Sequence, residues 1–172
     1  MSTHLIIDGY NLLGRTGNLR GDIELVRESL IRALAAYRQR KHHSLTVVFD
    51  GWQQGQPTER REHRTGVQVI YSKRGERADQ VIQRLAHEYG ADCAVVSSDQ
   101  EVARSARVSG AFVLGAQEFA MKLWALQGED AGLVHKELDL PQQARQRDPK
   151  RKGNPKKLPK ALRQRARQLK RF

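Results

Sequence analysis

The chain has 172 residues, a formal net charge of +12 and 38% apolar residues. That length suits one domain with an appendage. No run approaches the roughly 18–20 consecutive apolar residues of a membrane span, and the single cysteine, Cys93, excludes an internal disulfide framework and a cysteine-built zinc site.

The N-terminus, Met1-Ser2-Thr3-His4, has no basic stretch and no cleavage site, so no secretory signal is expected. A reducing cytoplasm is the expected home. Residues 4–7 form a short apolar run that ends in Asp8-Gly9. Asp22 is placed to cap a helix over 22–41, with Ile23, Val26, Leu30, Leu34 and Tyr37 on one stripe. Residues 45–49 are a second apolar run, again ending in Asp-Gly at Asp50-Gly51. Residues 51–66 read as a polar loop, too long for a plain connection. Residues 67–71 are a further strand. A helix over 78–89 turns Val81, Ile82, Leu85 and Tyr89 inward and stops at Gly90. Residues 93–96 run into Ser97-Ser98-Asp99. A helix over 100–108, a strand over 111–114 and a helix over 116–127 complete the pattern. Apolar runs without alternation suit strands buried on both faces of a parallel sheet. Strand and helix alternate, so the class is α/β with a mainly parallel sheet.

Beyond Leu140 the periodicity gives way to glutamine, proline and basic residues, so residues 1–140 are expected to form the domain and 141–172 a tail. Residues 1–140 carry 18 Lys and Arg against 18 Asp and Glu, whereas residues 141–172 carry 13 Lys and Arg against one acid, Asp148. The whole excess charge sits in the tail, which is expected to be flexible, with a basic helix over 158–170. Lys150, Arg151, Lys152, Lys156, Lys157, Arg163 and Arg167 are its candidate contacts to a polyanion such as RNA or the ribosome. The apolar content is thin for a helix lying on a membrane.

In an open α/β sheet, ligands bind beyond the carboxyl ends of the strands. Asp8, Asp50 and Asp99 each follow an apolar run, and Asp79 starts the helix after the fourth. Taken singly, each is also ordinary turn or cap chemistry. Together at one edge, packed carboxylates repel unless a cation neutralises them. Oxygen ligands favour Mg²⁺ or Mn²⁺, and such ions serve displacement at phosphorus.

Four strings carry a resemblance: Leu5-Ile6-Ile7-Asp8-Gly9-Tyr10-Asn11, Val47-Val48-Phe49-Asp50-Gly51, Tyr71-Ser72-Lys73-Arg74-Gly75-Glu76-Arg77-Ala78-Asp79 and Val95-Val96-Ser97-Ser98-Asp99. In this order they resemble the motifs of the YacP-like NYN-domain proteins of the PIN-like nuclease superfamily, over residues 4–127. The resemblance implies a PIN-like sheet, a divalent metal and endoribonuclease activity. It implies Asp8, Asp50, Asp79 and Asp99 as the acidic centre, with Asp8, Asp79 and Asp99 as metal ligands. Asn11 and Ser98 would orient a carboxylate, water or phosphate. One departure is Gln80, where many relatives carry a second acid.

Around this centre, Trp52 is placed to stack on a base or to cover the core. Arg60, Arg61 and Arg64 in the long loop, and Lys73, Arg74 and Arg77 before Asp79, suit a phosphate backbone or a solvated face. Arg77 is also a candidate partner for Asp79. Two rival functions stay open: a non-catalytic RNA- or ribosome-binding module with a vestigial acidic site, and a metal-dependent DNA nuclease or phosphatase.

Overall fold

A computed structural model describes residues 3–15, 21–51, 57–128 and 160–172. The described residues form six strands and six α-helices, in chain order. They are β1 (His4–Asp8), α1 (Gly9–Arg15), α2 (Ile23–Lys41), β2 (Ser44–Phe49), β3 (Arg60–Arg64), β4 (Val67–Tyr71), α3 (Ala78–Tyr89), β5 (Cys93–Val96), α4 (Gln100–Val108), β6 (Phe112–Leu114), α5 (Ala116–Gly128) and α6 (Lys160–Leu169). By its contacts the chain divides into Met1–Asp130 and Ala131–Phe172. The first unit holds the sheet, and the second holds α6. No described helix is long and apolar enough to cross a membrane.

The sheet order is β3-β4-β2-β1-β5-β6. All pairs are parallel except β3 with β4. The chain leaves β1 toward β2 and β4 on one side. It then returns through α3 to β5 on the other side. The winding therefore reverses at β1 and β5, the position at which open α/β sheets form a ligand crevice beyond the carboxyl ends.

Strand register sorts the side chains. Ile6, Val48, Ile70 and Val95 join Val81, Ile82, Leu85 and Val102 in one buried cluster beneath α3 and α4. One residue further along each strand, side chains turn to the opposite face, where α1 and α2 pack with α5. Tyr37 of α2 meets Phe119 of α5 there, ring centroids 5.2 Å apart.

Local chemistry sets the helix ends. Asp22 caps α2, accepting from the Glu24 amide at 2.9 Å. Gln80 Oε1 accepts from the Arg77 amide at 3.1 Å, so Gln80 serves the start of α3. Gly90 ends α3 at φ +54.

Two elements differ from the expectations. The polar loop expected over 51–66 contains β3, an antiparallel edge strand joined to β4 by a tight turn at Thr65 (φ 49) and Gly66 (φ 82). Its sequence, Arg-Arg-Glu-His-Arg, has polar residues on both faces, so no alternation betrays it. Such charge suits an exposed edge, where it discourages pairing with another chain. Arg60, Arg61 and Arg64 are accordingly strand residues, not loop residues. The short helix α1 directly after Asp8 was not expected.

Candidate active site

Asp8 ends β1, and only 7% of it is exposed. Its Oδ1 accepts from the Asn11 backbone amide at 3.1 Å, and its Oδ2 accepts from the Ser97 hydroxyl at 3.2 Å. Burial pushes this carboxyl up to about 6, and the negative charges of Asp79 and Asp50 add to the rise. The two hydrogen bonds oppose it.

Asp50 follows β2. Its Oδ1 accepts from the Ala78 amide at 2.6 Å, so it holds the first turn of α3 from the neighbouring strand end. Gly51 makes that turn possible. A Cβ there would lie 2.0 Å from the Ser72 carbonyl oxygen, and the Gly51 amide donates to Ser72 Oγ at 3.1 Å. Gly9, after Asp8, is constrained in the same way: a Cβ would lie 2.3 Å from the Phe49 ring. The glycine of both Asp-Gly pairs thus answers to close packing beside the site.

Asp79 lies in the first turn of α3 and pairs with Arg77 at 2.8 Å. Burial raises its carboxyl. The Arg77 charge opposes that rise, and Asp99, Asp50 and Glu101 reinforce it. Asp99 caps α4, its Oδ1 accepting from the amides of Glu101 and Val102 at 2.8 and 3.1 Å. Asp79 therefore senses both Asp50 and Asp99, and Asp8 senses Asp79 and Asp50. The four aspartates, from four separate segments, form one electrostatic cluster.

The serine that meets Asp8 is Ser97, not Ser98. Ser97 Oγ also accepts from the Asp99 amide at 3.1 Å, so one hydroxyl ties two of the aspartates together. Ser98 Oγ accepts from the Ala116 amide at 3.1 Å and serves the start of α5. Asn11 reaches across to the β5 end, its Oδ1 accepting from the Ser98 amide at 2.9 Å. Strand register accounts for the Ser97 contact. Ile6 pairs with Val95, so Asp8 and Ser97, each two residues on, fall on one face.

The donor set suits a hard divalent cation, being all carboxylate oxygen. Burial raises the carboxyls of Asp8 and Asp79, and neighbouring carboxylates add to both rises, so a cation at this cluster would be favoured. Yet no three acidic, histidine or cysteine side chains form a common metal-holding group among the described residues. The fit is to an ion that keeps much of its water and takes one or two carboxylates directly, as Mg²⁺ commonly does.

The basic candidates separate. Arg61 pairs with Glu59 at 2.6 Å, Arg60 with Glu62, and Arg64 with Glu28 and Glu62. Arg84 joins Glu59 to Glu76, linking the start of β3 with the segment before α3. Lys73 and Arg74 are exposed. Arg163 and Arg167 lie on α6, where Arg167 is exposed. Trp52, Lys150, Arg151, Lys152, Lys156 and Lys157, and the side chain of Arg163, lie outside the described residues.

The model of the YacP-like NYN domain matches residues 5–171. The chain belongs to that family. It is 34% identical over 87 residues to an uncharacterised protein, YacP, of Bacillus subtilis (strain 168). That match covers 48% of this chain and 50% of the relative, so it spans about half the relative's length. Two crystal structures of Rae1 (YacP) from Bacillus subtilis share the fold. One, of a tryptophan-to-leucine mutant, gives a TM-score of 0.62 at 27% identity, over 74% of this chain and 78% of the other. The second gives 0.61 at 25%, over 76% and 78%. The sheet and its flanking helices are thus the PIN-like architecture of this family.

Proposed function

We propose that this protein is a divalent-metal-dependent endoribonuclease that hydrolyses phosphodiester bonds at the β1–β5 crevice. The observation that carries the reading is the convergence of Asp8, Asp50, Asp79 and Asp99, with Asp8 buried and its carboxyl raised to about 6. Membership of the NYN family supports nuclease chemistry. The word ribonuclease rests on the family, since no residue here is seen to read a 2′-hydroxyl.

Asp8, with Asp79 or Asp99, would hold Mg²⁺ or Mn²⁺. When bound, such an ion polarises phosphate oxygens and lowers the pKa of water. The chain's own part is orientation. Ser97 and the Asn11 amide each engage one oxygen of Asp8, which fixes the carboxylate plane. Asn11 ties the start of α1 to the segment that follows β5. Asp50 and Asp99 spend one oxygen each on helix caps, which anchors their second oxygens. Arg77 neutralises part of Asp79 in the resting state. The basic tail would hold RNA, or an RNA-rich assembly such as the ribosome, through charge. We place this activity in the cytoplasm. Burial pushes the Cys93 thiol up to about 11, which fits an unreactive core cysteine.

The test is cleavage of single-stranded and structured RNA with Mn²⁺ or Mg²⁺, wild type beside Asp8→Asn. Metal-dependent cutting that disappears in the variant is expected, with RNA binding retained. Equal cutting by both proteins would remove Asp8 from the centre. Capping by Asp50 and Asp99, and Gln80 in place of an acid, favour the rival binding module. RNA binding without cutting, on free RNA and on translating ribosomes alike, would establish that rival.

A further inference from the structure

Arg27 is a buried charge that this reading leaves unused. It lies in the second turn of α2, and 4% of it is exposed. No carboxylate pairs with it among the described residues. It sits instead in a cage of three rings. Its Cζ lies 5.4 Å from the Tyr10 centroid, 5.7 Å from that of Phe49 and 5.6 Å from that of Tyr71. Nε donates to the Tyr10 hydroxyl at 2.7 Å, and Nη2 donates to the same oxygen. Nη1 donates to no group among the described residues. Ring faces attract the cation but do not neutralise it. A nearly buried charge without a counter-ion is costly, and a guanidinium cannot shed its proton.

The cage shares its edge with the carboxylates. Tyr10 stands two residues after Asp8, and Phe49 directly precedes Asp50. Tyr71 precedes Ser72, whose hydroxyl holds Gly51. Phe49 and Tyr71 are register partners, one residue beyond Val48 and Ile70. They therefore face away from the α3–α4 side to which Asp8 belongs. The cage and the acidic cluster flank the same sheet edge on opposite faces. Arg60 also lies over the Tyr71 ring, its Cζ 6.0 Å from the centroid, but is paired with Glu62. Arg27 is the cation of this corner without a carboxylate partner among the described residues.

We propose that Arg27, seated in the Tyr10–Phe49–Tyr71 cage, binds one non-scissile phosphodiester of a single-stranded RNA that crosses this edge. Four carboxylates repel a polyanion, so a strand needs an attractive contact beside them. With Nε and Nη2 held by the Tyr10 hydroxyl, Nη1 is left to donate a charge-assisted hydrogen bond to a phosphate oxygen. Tyr10, half-buried in the first turn of α1, orients the guanidinium through its hydroxyl. The inference rests on the reading of the site as RNA-cleaving and adds a binding residue to it.

The test uses the full-length protein with divalent ions chelated, so that RNA is bound and not cut. Affinity for a fluorescent single-stranded RNA is followed by anisotropy across a salt series. Arg27→Gln is expected to bind about 10-fold more weakly, with the salt slope reduced by about 0.7, the value of one phosphate contact on a single strand. Arg27→Lys is expected to keep the slope and lose part of the affinity. Replacing single phosphates by neutral methylphosphonates is expected to weaken wild-type binding at one position and to leave Arg27→Gln unaffected there. A folded Arg27→Gln with wild-type affinity and slope overturns the proposal and leaves the cage a structural staple. If Arg27→Gln does not fold, Arg27→Lys decides: the penalty at the sensitive position must shrink at least threefold, and an unchanged profile overturns the proposal. A wild type that binds RNA while Arg27 variants match it defeats this inference alone. A wild type that binds none defeats the ribonuclease reading with it.

Discussion

At neutral pH and without divalent ions, Asp8 holds its charge against burial and two neighbouring carboxylates. A carboxyl near 6 in the folded chain and 3.8 otherwise favours its protonated form on folding. Its stabilising contribution is therefore complete below about pH 3.8 and is lost as pH rises through 6. The difference corresponds to about 3 kcal/mol at pH 7.5. Asp8→Asn, with divalent ions chelated, is expected to unfold at a higher temperature than wild type at pH 7.5. The gap should close as pH falls toward 4, and calorimetry across that range checks it. Adding Mg²⁺ should raise the wild-type midpoint more than that of Asp8→Asn, since an ion that binds only the folded state stabilises it by mass action. Equal shifts in both would show that Asp8 does not hold the ion. Ser97 bears on two of the aspartates, whereas Ser98 serves a helix start. Ser97→Ala is expected to lose about 1–2 kcal/mol of stability, in line with removal of a buried hydrogen bond. It should also lose more RNA cleavage than Ser98→Ala. The reverse order would return Ser98 to the centre.

The strands and helices of the core were legible in the sequence because period and punctuation agreed. Helices over 78–89 and 100–108 match α3 and α4, whose stops and caps are local chemistry. Strand β3 was not legible, because an edge strand with charged residues on both faces lacks the alternation that marks a half-buried one. Helix α1 was missed because seven residues give barely two turns of pattern. Helix α1 adjoins the site, where Asn11 meets Asp8 and Ser98, whereas β3 lies at the sheet edge. Tight packing beside the site gives a direct check. Gly51→Ala places a Cβ 2.0 Å from a backbone oxygen, whereas at Gly115 the nearest neighbour is 3.9 Å away. Gly51→Ala is expected to cost about 2 kcal/mol or more, through strain of the kind that overpacking produces. Gly115→Ala is expected to be near neutral. Urea midpoints of the two variants should therefore differ clearly, and coincident midpoints would refute the close packing of the Asp50 turn against β4.

Over the whole molecule, charge is segregated, with the excess of basic residues in the last 32 positions. Basic residues of α6 are the part of that segment now described. Changing Arg165, Arg167, Lys170 and Arg171 together to Gln is expected to weaken RNA binding at moderate salt. It should also lower the salt slope by up to about 3, because each phosphate neutralised on a single strand accounts for roughly 0.7. An unchanged slope would separate the tail from RNA. Fold class, the core strands, the order of the four aspartates and the location of the charge can all be read from the residues alone. They follow from short-range patterns: hydrophobic period, caps, turns and composition. The three-dimensional fold was needed to pair Asp8 with Ser97 and not Ser98, to make caps of Asp50 and Asp99, and to seat Arg27 in an aromatic cage without a carboxylate partner among the described residues. The side-chain bonds from Arg27 to Tyr10 and from Ser97 to Asp8 join residues 17 and 89 positions apart. Such relations depend on strand register and on which sheet face each helix covers, which no local pattern specifies.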